Sequence, residues 1–215
     1  MNLPLDIHTH LNVSQPFEAI QNRYPENFED KAEGWFSVGI HPWKVGEYQG
    51  RYPWTELRRQ LALPQVLAVG EAGFDKLCGS PWSEQDKVFR QQALLAEEVG
   101  KPLVIHLVRA VDELLAAKKQ VRPSVPWIIH GFRGKAAQAR QLLSHGLYLS
   151  FGWLYQPDAL RLTPPQRLFL ETDEADVSFD SLVEKAAQVK GISPLEMRAL
   201  LSENVRSVFC ARQEH

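Results

Sequence analysis

The segment DIHTH sets Asp6, His8 and His10 at alternate positions. Residues two apart share one face of an extended strand, so these three side chains are expected to line one side of a first strand, with Thr9 turned outward to the helices. Imidazole and carboxylate are the donors that suit Zn, Mn or Fe, and carboxylate-rich versions of such sites tolerate Mg. Further candidates recur down the chain: His41 in GIHP, Glu71 in VGEAGFD, His106 in LVIHL, His130 in WIIHGF and Asp173 in LETD. Any one of these histidines alone would suit a buried, hydrogen-bonded structural role. Five imidazoles and two carboxylates gathered in one place would be costly as mere core, and metal coordination offsets that cost.

The elements that must position these groups follow from the hydrophobic pattern. Seven apolar runs rich in β-branched and aromatic residues cover 3–8, 35–41, 66–72, 102–108, 126–132, 147–152 and 167–172. They are nearly continuous rather than alternating, as expected for strands covered on both faces of a parallel sheet. Helical periodicity lies between them. Residues 83–101 open on Ser83 and Asp86 in capping-box spacing and close on Gly100. Residues 134–146 and 180–191 also close on glycine. A last helix opens with Ser193 as N-cap, Pro194 in its first turn and Glu196 completing the box. It runs on through Met197, Leu200, Leu201, Val205 and Val208. The prolines of RYPWTE and RLTPPQR read as loops.

Strand–helix alternation predicts an α/β fold with a parallel sheet. No glycine-rich phosphate-binding fingerprint follows the first strand, which disfavours an open nucleotide-binding sheet. The expectation is a compact TIM-like (β/α) barrel with seven clear strands, forming a single domain over 1–215. In such a barrel the strand ends converge on the rim that carries the active site, and the candidate ligands sit at those ends.

Bulk properties narrow the function. A formal charge of −2 does not suit a non-specific polyanion binder. Cys78 and Cys210 are expected as free thiols in a reducing compartment. There is no signal-peptide pattern and no apolar run long enough to cross a membrane, so a cytoplasmic location is expected. The chain is expected to act as a monomer.

Taken in order, DIHTH, VGIHP, VGEAGFD, FRQQALLAEEVGKPLVIH, IIHGFRG, LETD and ENVRSVF resemble the TatD-type metal-dependent hydrolases of the amidohydrolase superfamily, over nearly the whole chain. The resemblance implies a TIM-like barrel with a metal centre of two divalent ions (Zn, Mg or Mn). His8, His10, Glu71 and Asp173 would hold one ion, and Glu71 would bridge to a second held with His106 and His130. It implies hydrolase activity, in several members deoxyribonuclease activity with exonuclease character. The chain departs from the family's usual pattern at Trp43, at Arg109, at Arg133 and after LETD, in residues expected to face substrate.

On this reading two ions would activate water and polarise a phosphoryl oxygen, with Asp173 as proton acceptor and Glu71 positioning the ions. His41 would contact substrate phosphate or support the ligands from behind. Arg109 and Arg133 are candidate phosphate clamps. Trp153, with Trp43 and Tyr155, could stack a base. Asp6 would orient an imidazole and Asp75 would anchor a loop, both behind the metal ligands. The expected partner is nucleic acid or a small phosphoester, with no membrane. A small-molecule amidohydrolase or esterase using the same centre stays open. So does a metal-holding, partner-binding protein without catalysis.

Overall fold

Among the described residues eight strands form: β1 (Asp6–Thr9), β2 (Ala19–Arg23), β3 (Trp35–Val38), β4 (Val66–Asp75), β5 (Leu103–Val108), β6 (Trp127–Ile129), β7 (Tyr148–Phe151) and β8 (Leu168–Leu170). This computed structural model describes residues 4–11 and 15–210. Leu3, which opens the first expected run, and His215 lie outside them. The strands follow one another in sequence order around a closed barrel, and the pairings are parallel, for example Asp6 with Leu170 and Gly73 with His106. The α/β barrel reading therefore holds, with eight strands in place of seven.

Seven strands are the expected apolar runs. The eighth, β2, reads AIQNR, and its polarity hid it. Buried Asn22 accepts a hydrogen bond through Oδ1 from the Ser37 hydroxyl at 3.1 Å and from the Glu71 amide at 2.7 Å. Its partners come from later strands, so no local hydrophobic signal marks it.

Helices fill the connections: α1 (Trp54–Leu61), α2 (Trp82–Val99), α3 (Val111–Val121), α4 (Ala136–Ser144), α5 (Pro157–Leu162), α6 (Phe179–Lys190) and α7 (Pro194–Val205). The capping box at Ser193 and Glu196 forms in full. The one expected at Ser83 does not, because α2 begins a residue earlier behind Pro81 and Ser83 lies inside the helix. Gly100 and Gly191 close α2 and α6 in the left-handed conformation. RYPWTE is only partly loop, since its last three residues open α1. Both cysteines are free.

The chain divides into two compact units, Met1–Gln21 with Ile128–His215, and Asn22–Trp127. In the second unit the core between sheet and helices is aromatic. Phe74 of β4 meets Phe89 of α2 at 4.5 Å between ring centroids, and Phe89 meets Trp127 of β6 at 5.3 Å. At the start of β4, Lys101 donates through Nζ to the carbonyls of Leu61, Leu63 and Val66 at 2.5, 3.0 and 2.5 Å. In the first unit Phe169 of β8 packs against Phe209 at 5.8 Å, and Asn204 of α7 donates to the carbonyls of Pro165 and Leu168, each at 2.7 Å. These side-chain bonds satisfy main-chain carbonyls at strand entrances, where burial without a partner would be costly.

Candidate metal centre

In the first unit, β1 carries His8 inside the strand and His10 just beyond it, while His130 follows β6 and Asp173 follows β8. Donor atoms of His8, His130 and Asp173 all lie within 4.8 Å of one another. The Asp173 carboxylate stands 3.9 Å from Nε2 of His8 and 4.0 Å from Nε2 of His10. The His8 ring lies 5.0 Å from that of His10, edge-on, and 4.3 Å from that of His130. His8 is fully buried, and His10 and Asp173 are partly open.

The backbone around Asp173 is specified with care. Asp173 adopts the left-handed conformation, φ 54°, which costs a non-glycine residue energy that aspartate tolerates better than most. Its amide donates to the His8 carbonyl at 3.0 Å, and its carbonyl accepts from the His10 amide at 3.0 Å and from the Thr9 hydroxyl at 3.1 Å. Thr9 is thus buried against this loop and does not turn out to the helices. Asp6 secures the same junction: its carboxylate accepts from the Thr172 hydroxyl at 2.7 Å, the Thr172 amide at 3.1 Å and the His8 amide at 3.3 Å. Burial raises Asp6 to about 7 against the pull of those hydrogen bonds.

Glu171 drew no attention in the sequence, yet it is wholly buried beneath His130. Its Oε1 lies 3.2 Å from Nδ1 of His130 and accepts the Gly131 amide at 2.5 Å. Burial opposes its charge, but the rings of His130 and His8 hold it below the usual carboxylate range. The only signal was its place in LETD, directly after the apolar run that forms β8. A carboxylate behind a ligand histidine fixes which ring nitrogen faces the metal.

In the second unit, donor atoms of His41, Glu71 and His106 also lie within 4.8 Å of one another. Glu71 is buried within β4, and its Oε1 is 2.7 Å from Nδ1 of His106 and 3.1 Å from Nε2 of His41. Nδ1 of His41 accepts the Trp43 amide at 3.1 Å. A neutral His41 therefore carries its proton on Nε2 and donates it to Glu71. Gln92 of α2 secures the approach to His41 by pairing both main-chain groups of Ile40, at 2.7 and 3.0 Å. Asp75, at the end of β4, accepts from the indole of Trp43 at 2.6 Å and the Leu77 amide at 2.7 Å, and lies 3.3 Å from Nε2 of His106. Burial works against its charge, but these donors hold Asp75 below the usual range. Gly73 brings β4 close to β5: a Cβ there would stand 1.9 Å from the His106 carbonyl oxygen.

The groups expected near substrate are spread more widely. Arg109 and Arg133 are exposed, and Arg109 holds a left-handed φ of 54° just after β5. Trp153 is half-buried under Lys185, whose Nζ lies 4.2 Å from the indole centroid. His41 is almost fully buried and faces Glu71.

Two clusters of imidazole and carboxylate fit a divalent metal of the Zn, Mn or Mg type: His8, His130 and Asp173 in the first unit, and Glu71 with His106 in the second, where His41 supports Glu71 through Nε2. Fold and donor sets together define the class: a parallel α/β barrel equipped for divalent metal at its strand ends. The chain belongs to the TatD-related DNase family, whose model matches residues 12–210. It is similar to the 3'-5' ssDNA/RNA exonuclease TatD of Erwinia billingiae, 29% identical over 168 residues that cover 72% of this chain and 64% of that protein. It is similar too to the uncharacterized metal-dependent hydrolase YabD of Bacillus subtilis, 30% identical over 167 residues, 67% of this chain and 66% of that one. The chain thus spans slightly under two thirds of the length of these curated relatives. Its fold matches the crystal structure of YJJV, a TatD homologue from Escherichia coli K12, with a TM-score of 0.77 over 96% of this chain and 97% of that one, at 20% identity. Among the described residues, no helix is long and apolar enough to cross a membrane.

Proposed function

We propose that this chain is a metal-dependent phosphoester hydrolase acting on single-stranded nucleic acid. The observation that carries the proposal is the pair of clusters, His8, His130 and Asp173 in one unit and Glu71 and His106 braced by His41 in the other, in a chain of this family. His8, His10, Glu71, His106, His130 and Asp173 are the proposed metal ligands. Two bound divalent ions would lower the pKa of water toward neutrality and neutralise charge on the phosphoryl group.

The protein's own groups supply the rest. The water oxygen bonds to phosphorus as Asp173 accepts its proton, the phosphorus–oxygen bond to the leaving sugar breaks, and Asp173 returns the proton to the departing sugar oxygen. Glu71 is held within β4 by His41, which donates to it through Nε2. Glu171 and Asp75 keep His130 and His106 turned to their task. The exposed guanidinium groups of Arg109 and Arg133 match phosphate oxygens bidentately.

The test is cleavage of 5′-labelled single-stranded DNA and RNA by protein reconstituted with Mn, Zn or Mg. Stepwise shortening from the 3′ end that stops when a chelator is added is the expected result. Turnover of amides or lactones with no cleavage of either nucleic acid would reject the reading.

A further inference from the structure

Trp43 combines exposure with immobility. It is 58% exposed, yet its Nε1 donates to Asp75 at 2.6 Å and its amide to Nδ1 of His41 at 3.1 Å. Its carbonyl accepts from the Ser80 hydroxyl at 3.3 Å. The indole is near-perpendicular to the His41 ring, with centroids 4.9 Å apart and planes at 85°, and lies 6.0 Å from His106 at 75°. A singly exposed apolar side chain is common and needs no explanation by itself; Trp43 differs in being tied down by its polar groups. Here the polar edge is the part turned inward, onto a carboxylate that itself touches His106. More than half of the side chain is left in water beside the Glu71 cluster. Because the side chain is already held, a ligand that stacks on it loses little further freedom.

We infer that Trp43 is a stacking platform for one nucleobase of the substrate, the base of a nucleotide whose phosphate is presented to the His41, Glu71 and His106 cluster. This rests on the phosphoester reading above. The indole lies within a single nucleotide's span of His106, and its flat face accepts any base, so the platform binds nucleic acid without reading its sequence. Its edge has a separate task, because the Nε1 hydrogen bond holds Asp75 against His106.

The two tasks can be separated with metal-loaded protein. kcat/KM is measured on a short single-stranded oligonucleotide and on one of equal length whose bases flanking the cleaved bond are replaced by abasic sites. The wild-type protein should favour the base-bearing substrate by about 10- to 100-fold, the range that stacking one base supplies. Trp43→Leu should bring that ratio close to one through a rise in KM. Trp43→Phe, which keeps an aromatic face and loses Nε1, should retain most of it, and metal content is measured in each variant. The inference is overturned if Trp43→Leu keeps the full ratio, or if Trp43→Phe loses as much of it as Trp43→Leu. A wild-type protein that cleaves both substrates equally well also overturns it, while leaving the hydrolase reading standing. Failure to cleave either substrate with any metal rejects that reading, and this inference falls with it.

Discussion

The carboxylate of Glu171 lies 3.2 Å from Nδ1 of His130, in a fully buried position. This bond engages Nδ1 of a ring that belongs to the donor set of His8 and Asp173. Glu171→Gln, which keeps the volume and removes the charge, should weaken metal binding by about 10- to 100-fold, the usual effect of losing a carboxylate behind a ligand histidine. Metal titration monitored by calorimetry reads this directly. Unchanged affinity would mean that the ring is oriented by packing alone.

Asp173 serves through its carboxylate and through its left-handed backbone, and two substitutions distinguish these. Asp173→Asn tolerates φ 54° and should leave the unfolding midpoint close to wild type while nuclease activity falls at least about 100-fold, the scale of losing an acid–base group. Asp173→Val should lose activity and also about 1–2 kcal/mol of stability, because a β-branched residue is poorly suited to that conformation. Denaturant unfolding beside the activity assay checks both. Equal stability of the two variants would remove the backbone role.

Gly73 sets the approach of β4 to β5. A methyl group 1.9 Å from the His106 carbonyl oxygen must push the strands apart, so Gly73→Ala should cost about 3 kcal/mol, at the upper end for overpacking. It should lower metal affinity as well, since His106 and Glu71 lie on these two strands. Thermal unfolding with and without metal tests this; a wild-type midpoint in both would refute it.

Lys101 makes stability depend on pH. Burial pulls its ammonium group down to about 8, below the value of about 10.4 expected in the unfolded chain. Between those values the unfolded chain binds more protons than the native one, so this group makes the protein more stable as pH rises through that window. Urea unfolding at pH 8 and pH 10 should show the wild-type protein gaining on Lys101→Met over that interval. A constant difference between the two would rule out the shift. The variant should be the less stable protein at both values, because three carbonyls lose their donor.

Much of this protein was legible in its sequence for a local reason. Near-continuous apolar runs mark strands covered on both faces, and seven of the eight strands announced themselves in that way. The Ser193 box and the glycines at 100 and 191 needed only their neighbours to act. His8, His10, Glu71, His106, His130 and Asp173 stood out because ionisable groups beside apolar runs are costly without a purpose.

What the tertiary structure alone decided is whatever depends on partners distant in the chain. Strand β2 exists through Asn22, whose partners are Ser37 and the Glu71 amide. Glu171 gains its role from His130, 41 residues earlier. Asp6 proves to be a clamp on Thr172 and the main chain of His8, and Thr9 turns inward because the Asp173 loop closes on it. Trp43 has one hydrogen bond to His41, which sequence proximity could suggest, and another to Asp75, which it could not. Composition and period select strands and helices because those signals repeat every few residues. A hydrogen bond between distant residues leaves no period, so only the folded chain reveals which polar groups hold the site and which are held by it.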